Sequence, residues 1–433
     1  MSARFHLPAW HAQRVELNDE VHARPPEALV APASISYLAL IPPEGAPSDQ
    51  SLDAVRDLVR RVGGPAPAPG ASHYSTDLGA FRLKWERHTE FSRFMVIVPG
   101  VAPDPFARTA MDAVPADWVA ALPGRVIVAA HAALLHDDGA PLDLAGIAER
   151  CFAGNDLVGA EVSGGRATAI TDFRIHGDGF SRFMLLDRGM GRRQAGRVLQ
   201  RLLEVDTYRI MALLALPVAR ALSPLLSAQE RELADVTGAL VACAENDEPV
   251  LLDRLTRLAA EIESAEARNR YRFSAARAYY ELVQRRIDDV REGRIEGLQT
   301  MREFTERRLA PAMNTVRDVA RRQELLSQRV ARATQLLSTR VDLTRERQNQ
   351  ALLASMDRRA QLQLRLQQTV EGLSVAAITY YVVGLIAYVA KALADGGLAV
   401  QPGLVVGIAV PVVAAAVFAG MRRLRRHMEH DGA

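Results

Sequence analysis

Two long apolar runs near the C-terminus constrain this chain more than any other feature. From Leu373 to Leu393 it reads LSVAAITYYVVGLIAYVAKAL, with Lys391 as its one charge, and from Leu404 to Met421 it reads LVVGIAVPVVAAAVFAGM, with none. At 1.5 Å rise per residue each run is about 27–32 Å long as a helix, which matches the hydrocarbon core of a bilayer. The alternative is a pair of helices buried in a soluble core, but soluble helices rarely stay apolar on every face for this long. Between them lies Ala394–Gly403, ADGGLAVQPG, whose glycines and proline suit a turn between antiparallel spans. Arg422, Arg423, Arg425 and Arg426 follow the second run, and Arg-rich sequence precedes the first. The positive-inside rule then places both termini in the cytoplasm and the turn outside, with those four arginines against lipid headgroups. No apolar run opens the chain, so no cleavable signal peptide is expected. The lipid bilayer is the first partner this reading implies.

The rest has the make-up of a folded protein: 49% of residues are hydrophobic and 24% charged, which excludes a mostly disordered chain. Basic residues (53) nearly balance acidic ones (51), so no global field favours nucleic acid, and none is expected as a partner. Lysine occurs only at Lys84 and Lys391; every other basic residue is arginine. Two cysteines, Cys151 and Cys243, are too few for a disulfide framework and suit a reducing compartment.

The fold class expected is α+β, and hydrophobic spacing divides the chain into four parts. Residues 1–190 read as a mixed-sheet α/β domain. Strands are expected at Ser36–Ile41 and Arg125–Leu135, a hairpin at Phe81–Glu86 and Phe91–Val98, and a meander at Leu157–Val162, Ala167–Ile175 and Phe180–Leu186. Helices are expected at Leu52–Val62, Asp112–Leu122 and Leu142–Arg150. Residues 191–372 read as a helical and coiled-coil stalk, opening with a helix over Gln194–Ala215 and with another starting at Pro224. Breaks are expected at Asn246–Pro249, at Gly293 and Gly297, and at Pro311. Leu326, Val330, Ala333, Leu337, Val341 and Thr344 follow the alternating spacing of a coiled-coil seam, which resumes at Gln363, Leu366, Val370 and Leu373. Residues 373–421 form the transmembrane hairpin and 422–433 a basic tail.

Candidate chemistry is sparse. Asp19, Glu20 and His22, with Arg24 beside them, could hold a ligand or serve as acid and base, although a polar loop or short helix whose carboxylates pair with Arg24 is the plainer explanation. Gly189–Gly196 follows a strand and opens a helix, so its backbone N–H groups with Arg192 and Arg193 could meet a phosphate. Its spacing matches neither GxGxxG nor a P-loop. His131 and His136 lie five apart in a strand, on opposite faces, and do not suit one shared metal. Arginines at 285, 286, 291, 294, 302, 307, 308, 321 and 322 alternate with acidic residues, as on a solvated, salt-bridged helix. In the first span, Thr379 and Gly384 are pore-lining or helix-packing positions, Thr379 being able to return its hydroxyl to the backbone. No GxSxG elbow or cysteine motif is present. The reading is therefore of a protein that is not an enzyme, with no catalytic residues, no bound metal and no cofactor.

The segments LNDEVHARPPEAL (Leu17–Leu29), FSRFMLLDRGM (Phe180–Met190), LLEVDTYRIMALLALPVAR (Leu202–Arg220) and ITYYVVGLIAYVAKAL (Ile378–Leu393) together resemble the bacterial DUF3422 family. The resemblance covers nearly the whole chain and implies a membrane-anchored protein of the bacterial inner membrane, with no assigned catalytic residues. The order of parts is similar to that of CorA-type magnesium channels, which implies a divalent cation as a possible cargo. Their Gly-Met-Asn signature after the first span is replaced here by Ala-Asp-Gly-Gly. Two expectations follow. The first is a structural or regulatory protein that forms a homo-oligomer through its stalk and first span. The alternative is a CorA-like cation channel or transporter.

Overall fold

The computed structural model describes residues 8–22, 25–47, 49–242, 247–396 and 401–430. The chain forms two compact units, one of residues 1–242 with 253–334 and one of residues 243–252 with 335–433. The class is α+β: a mixed sheet near the N-terminus, followed by long helices.

In the first unit, α1 (Arg14–His22) precedes β1 (Ala33–Ile41), α2 (Gln50–Val62), β2 (His73–Asp77), β3 (Arg82–Arg87) and β4 (Ser92–Pro99). Next come α3 (Ala116–Ala120), β5 (Arg125–His136), α4 (Leu144–Phe152), β6 (Val158–Val162), β7 (Ala167–Thr171) and β8 (Ser181–Asp187). The described strands form one sheet in the order β2-β3-β4-β1-β5-β8-β7-β6. All neighbours are antiparallel except β5 and β8. β1 is buried along nearly its whole length, as a central strand covered on both faces must be.

One face packs under α2. Leu52, Val55, Leu58 and Val59 share one side of that helix and meet Leu38, Leu40, Leu83, Trp85, Phe94 and Trp118. Val62, in the same spacing, faces outward. Gly63 closes α2 with φ +88°, its N–H returning to Val59 O at 2.9 Å. The other face is covered by α5 (Arg192–Leu213), which buries Val198, Leu199, Leu202 and Leu203. The boundary expected at 190/191 therefore falls inside this unit.

Three expected elements differ. Asp112–Leu122 is not one helix: a 3-10 turn at Ala110–Ala113 and the short α3 flank Pro115. Proline disfavours helical backbone in the residue before it, and Val114 is extended. The strand expected to Ile175 stops at Thr171. Asp172 Oδ1 accepts the Arg174 N–H at 3.1 Å, Phe173 turns to φ +52°, and Ile175 is exposed. Pro224 does not open a helix but lies inside α6 (Ala215–Ala242), whose first turn holds Pro217 instead.

The edge strand β6 is not left open. α7 (Glu248–Val290) ends before Gly293 as expected, and the segment up to α8 (Met301–Arg308) runs along β6. Glu161 and Gly293 exchange backbone hydrogen bonds of 2.9 and 2.7 Å, and Gly159 N–H reaches Gln299 O at 2.9 Å. An edge paired this way cannot recruit a foreign strand.

α9 (Ala310–Asp395) starts beside Pro311, which sits in its first turn and does not interrupt it. Leu326, Val330, Leu337, Val341 and Thr344 are buried and Ala333 half-buried. That seam is filled within the chain itself. In the first unit Ser327 donates to Glu263 at 3.2 Å and Arg322 pairs with Glu230 at 2.8 Å; in the second, Arg340 pairs with Glu248 at 2.5 Å and Thr344 donates to it at 3.3 Å. Beyond Thr344 the character changes. Residues 345–370 are exposed on every face of the helix, Leu352, Met356, Leu366 and Val370 included. α10 (Pro402–His430) completes the second unit.

Candidate functional site

The densest polar chemistry lies under α5, on the face of β3 and β4 that alternation alone would assign to solvent. In FRLKWE, Leu83 and Trp85 enter the α2 core, which turns Lys84 and Glu86 the other way, and both are buried. Glu86 stands directly across the ladder from Arg93, whose Nε donates to Glu86 Oε2. Arg93 Nη1 reaches Glu204 Oε1 on α5 at 3.0 Å, and Arg286 of α7 donates to Glu204 Oε2 at 2.5 Å. Lys84 Nζ sits 3.0 Å from Glu86 Oε1 and donates to Pro25 O at 2.6 Å and Gln200 Oε1 at 3.4 Å. The result is a chain of alternating charge running from the N-terminal segment through the sheet to α7.

Electrostatics follow from this geometry. Burial pushes the Glu86 carboxyl up, but His88, Arg93 and Lys84 together outweigh it and hold it well below the usual carboxylate range. Glu204 is likewise lowered, burial being overcome by Arg93 and Arg286. Arg93 is raised despite complete burial, because Glu86, Tyr37 and Glu204 surround it. Each charge is thus matched, as burial requires. A neighbouring set continues along α5. Ser181 donates to Asp206 at 3.0 Å and Arg209 pairs with Asp206 at 2.5 Å. Thr207 donates to Leu203 O at 2.8 Å, leaving its oxygen to accept from Tyr37 at 2.9 Å.

A shallow pocket of about 470 Å³ opens beside the cluster, walled by His88, Thr89, Phe91, Tyr208 and Tyr279. His88 stacks on Phe91, and Tyr208 on Tyr279. Sequence reading passed over this region because its residues are scattered along the chain. A signal was present in Lys84, one of two lysines where arginine is otherwise the rule, and in Glu204 and Asp206 set within an apolar helix.

A serine and histidine also meet in the core. Ser36 Oγ accepts the Met111 N–H at 3.0 Å and shares a hydrogen bond of 2.8 Å with His131 Nδ1, whose direction follows the ring's tautomer. His131 stacks on Phe180, and burial pulls its pKa down to about 4. Ser36 is wholly buried. The pair is closed off from solvent.

The residues singled out from sequence fall as follows. Asp19 is exposed on α1, where Asn18 Nδ2 donates to it at 3.2 Å. Glu20 and His22 lie in α1 with side chains outside the described residues, as Arg24 does entirely. Among the described residues no group of three His, Cys, Asp or Glu could hold a metal.

Arg192 and Arg193 are exposed at the start of α5, and two backbone N–H groups of the turn before them are taken within the chain. Asp187 Oδ1 already accepts the Gly189 and Met190 N–H groups, at 2.9 and 2.6 Å. Gly196 serves packing instead: a Cβ there would lie 1.7 Å from Glu27 O, so the glycine admits the N-terminal segment against α5.

In the second unit the Thr379 hydroxyl does not return to the backbone; Oγ1 is buried with no hydrogen-bond partner. A Cβ on Gly384 would meet nothing within 4 Å, so this glycine is not a packing position within one chain. Arg422 and Arg423 are exposed, and the side chains of Arg425 and Arg426 lie outside the described residues.

Among the described residues, three helical stretches are long and apolar enough to cross a membrane: Arg192–Ala242, Ala310–Asp395 and Pro402–Arg423. The first lies in the sheet-bearing unit and packs α5 onto that sheet. The apolar windows of the other two are almost wholly unburied.

No curated protein and no solved structure matches the chain. The likeness to CorA-type channels has no support in these comparisons. The segments that carried the family resemblance supply Pro25, Glu27, Ser181, Glu204 and Asp206, which belong to the buried polar network and the N-terminal packing onto it. A family profile described as "Protein of unknown function (DUF3422)" matches residues 9–428, and the chain belongs to that family.

Proposed function

We propose that this protein is a membrane-anchored, homo-oligomeric structural or regulatory protein of the bacterial inner membrane, with a non-catalytic α/β head in the cytoplasm. The end of α9 and α10 form its transmembrane hairpin, with both termini on the cytoplasmic side. The observation that carries this reading is the outward display of Tyr380, Tyr381, Leu385, Tyr388, Leu404, Ile408, Val412 and Phe418 on two successive helices. A patch of that extent in water would drive aggregation, whereas in lipid it is the ordinary surface. Val405 of α10 lines an apolar cleft with Val382, Leu385, Ile386 and Val389 of α9, which supports pairing of the two helices.

Self-association uses the exposed stretch 345–373. A helix with no packed face has little stability of its own, and a second copy would cover its leucines. A regulatory head fits the pairing of its buried charges with one another and the closed setting of Ser36 and His131.

Alkaline extraction of membranes tests the anchor. The full chain stays in the pellet, and a chain ending at Glu371 moves to the supernatant. Extraction of the full chain would refute the reading.

The second reading, a cation channel, is favoured by the unpaired Thr379 hydroxyl, which an oligomer could turn toward a central path. Magnesium flux into liposomes that is lost in Thr379→Val would support it, and absence of flux would retire it.

A further inference from the structure

In the first unit α7 and α9 leave between them a cleft of about 490 Å³, within the size range of small-molecule sites. Phe273, Tyr280, Met313 and Val316 form its buried apolar wall. Its rim carries Arg270, Arg277, Arg317 and Arg321 against two carboxylates, Glu266 and Glu324. Three other arginines of this unit sit in ion pairs: Arg272 with Glu90, Arg286 with Glu204, and Arg322 with Glu230.

The four at the rim do not. Among the described residues none of them has a carboxylate within ion-pair distance, and their one hydrogen bond runs from Arg317 to Asn314 at 3.1 Å. Arg317 and Arg321 stand four apart on α9, and Arg270 and Arg277 seven apart on α7, so each pair shares a helix face. Like charges four apart weaken an isolated helix, so helix stability does not explain their placement.

A second observation points to the same ligand chemistry. Gln323 lines this cleft, is 2% exposed, and its Nε2 has no hydrogen-bond partner. A buried donor left unpaired is costly, and an acceptor oxygen in the cleft would recover that cost.

We propose that the cleft between α7 and α9 binds a small amphiphilic anion. Its phosphate or carboxylate oxygens are held by the rim arginines and the Gln323 amide, and its apolar body lies against Phe273 and Met313. Guanidinium forks suit such oxygens, and an anion relieves the mutual repulsion of the four arginines.

Calorimetric titration of the full chain in phosphatidylcholine nanodiscs tests this, with hexyl phosphate and inorganic phosphate as probes. Hexyl phosphate is expected to bind saturably and more tightly than inorganic phosphate. Arg277→Ala and Arg321→Ala each weaken it about tenfold, the loss of one charge-assisted bond. Gln323→Leu also weakens binding, while its Tm stays level or rises because the unpaired donor is gone. Nanodiscs that include phosphatidylglycerol distinguish the source. Competition with hexyl phosphate assigns a lipid headgroup and its absence a soluble anion, and either outcome keeps the site. No saturable binding of hexyl phosphate, or affinity unchanged in all three variants, overturns the proposal.

Discussion

The two units invert the usual placement of polar and apolar groups in opposite ways. The first buries charge: Lys84, Glu86, Arg93 and Glu204 are all nearly inaccessible, yet each meets an opposite charge. The second exposes grease: from Leu352 to Phe418 large apolar side chains face outward, and few are covered. Buried charge is tolerable where the partners are complete, and exposed hydrocarbon where another chain or a lipid tail takes the place of water. One unit satisfies its odd groups internally, and the other depends on its surroundings to do so.

Substitutions that remove a charge partner should therefore damage the first unit most. Arg93→Met takes the cation shared by Glu86 and Glu204, leaving Lys84 and Arg286 as their remaining partners, and is expected to cost about 3–5 kcal/mol in denaturant unfolding of the full chain in detergent. A cost below 1 kcal/mol would mean that water reaches the cluster.

The mirror-image change is Val412→Arg, which leaves the melting of the head unchanged but penalises membrane insertion by about 3 kcal/mol, read as a larger extractable fraction.

Acid should loosen the head in a defined window. His131 has its folded pKa lowered to about 4 from the ordinary 6.5, so the unfolded chain binds the extra proton first. Its contribution is full above pH 6.5 and is lost as pH falls toward 4, about 3 kcal/mol in all. Glu86 and Glu204, also lowered, add their loss at still lower pH, below the ordinary carboxylate range. His131→Gln keeps a hydrogen-bonding group for Ser36 and should flatten the first window but not the second. An unchanged profile would assign the effect elsewhere.

Gly196→Ala forces a methyl group onto Glu27 O and is expected to destabilise by about 1–3 kcal/mol, measured as a lowered Tm. Smallest of all, Leu366→Ala should change head stability by less than about 0.5 kcal/mol while weakening self-association in detergent, measured by sedimentation.

What could be read in advance follows from which signals are local. The strands around Ser36–Ile41, Phe91–Val98 and Arg125–Leu135 and the face of α2 are written in short-range periodicity, and they are present. β2 escaped notice because His73–Asp77 is a polar edge strand with little apolar alternation. The polar face of β3 misled for a deeper reason. Alternating FRLKWE is the pattern of a half-exposed strand, and only the packing of α5, more than a hundred residues later, turns that face into an interior. The seam at Leu326–Thr344 shows the same limit. Its spacing says that the helix has a partner, and only the fold shows α6 and α7 of the same chain in that place. The candidate cleft depends on four arginines and a glutamine from two helices, and no local motif announces such a set.

Single-cysteine labelling with a membrane-impermeant maleimide addresses the anchor and its orientation together. With Cys151 and Cys243 replaced by alanine, Gln401→Cys lies at the turn before α10 and Ala433→Cys at the chain's end. In intact cells with the outer membrane permeabilised, position 401 should label at once and position 433 only after the inner membrane is opened. Labelling of both together, or of 433 alone, would contradict a hairpin anchor with its ends in the cytoplasm.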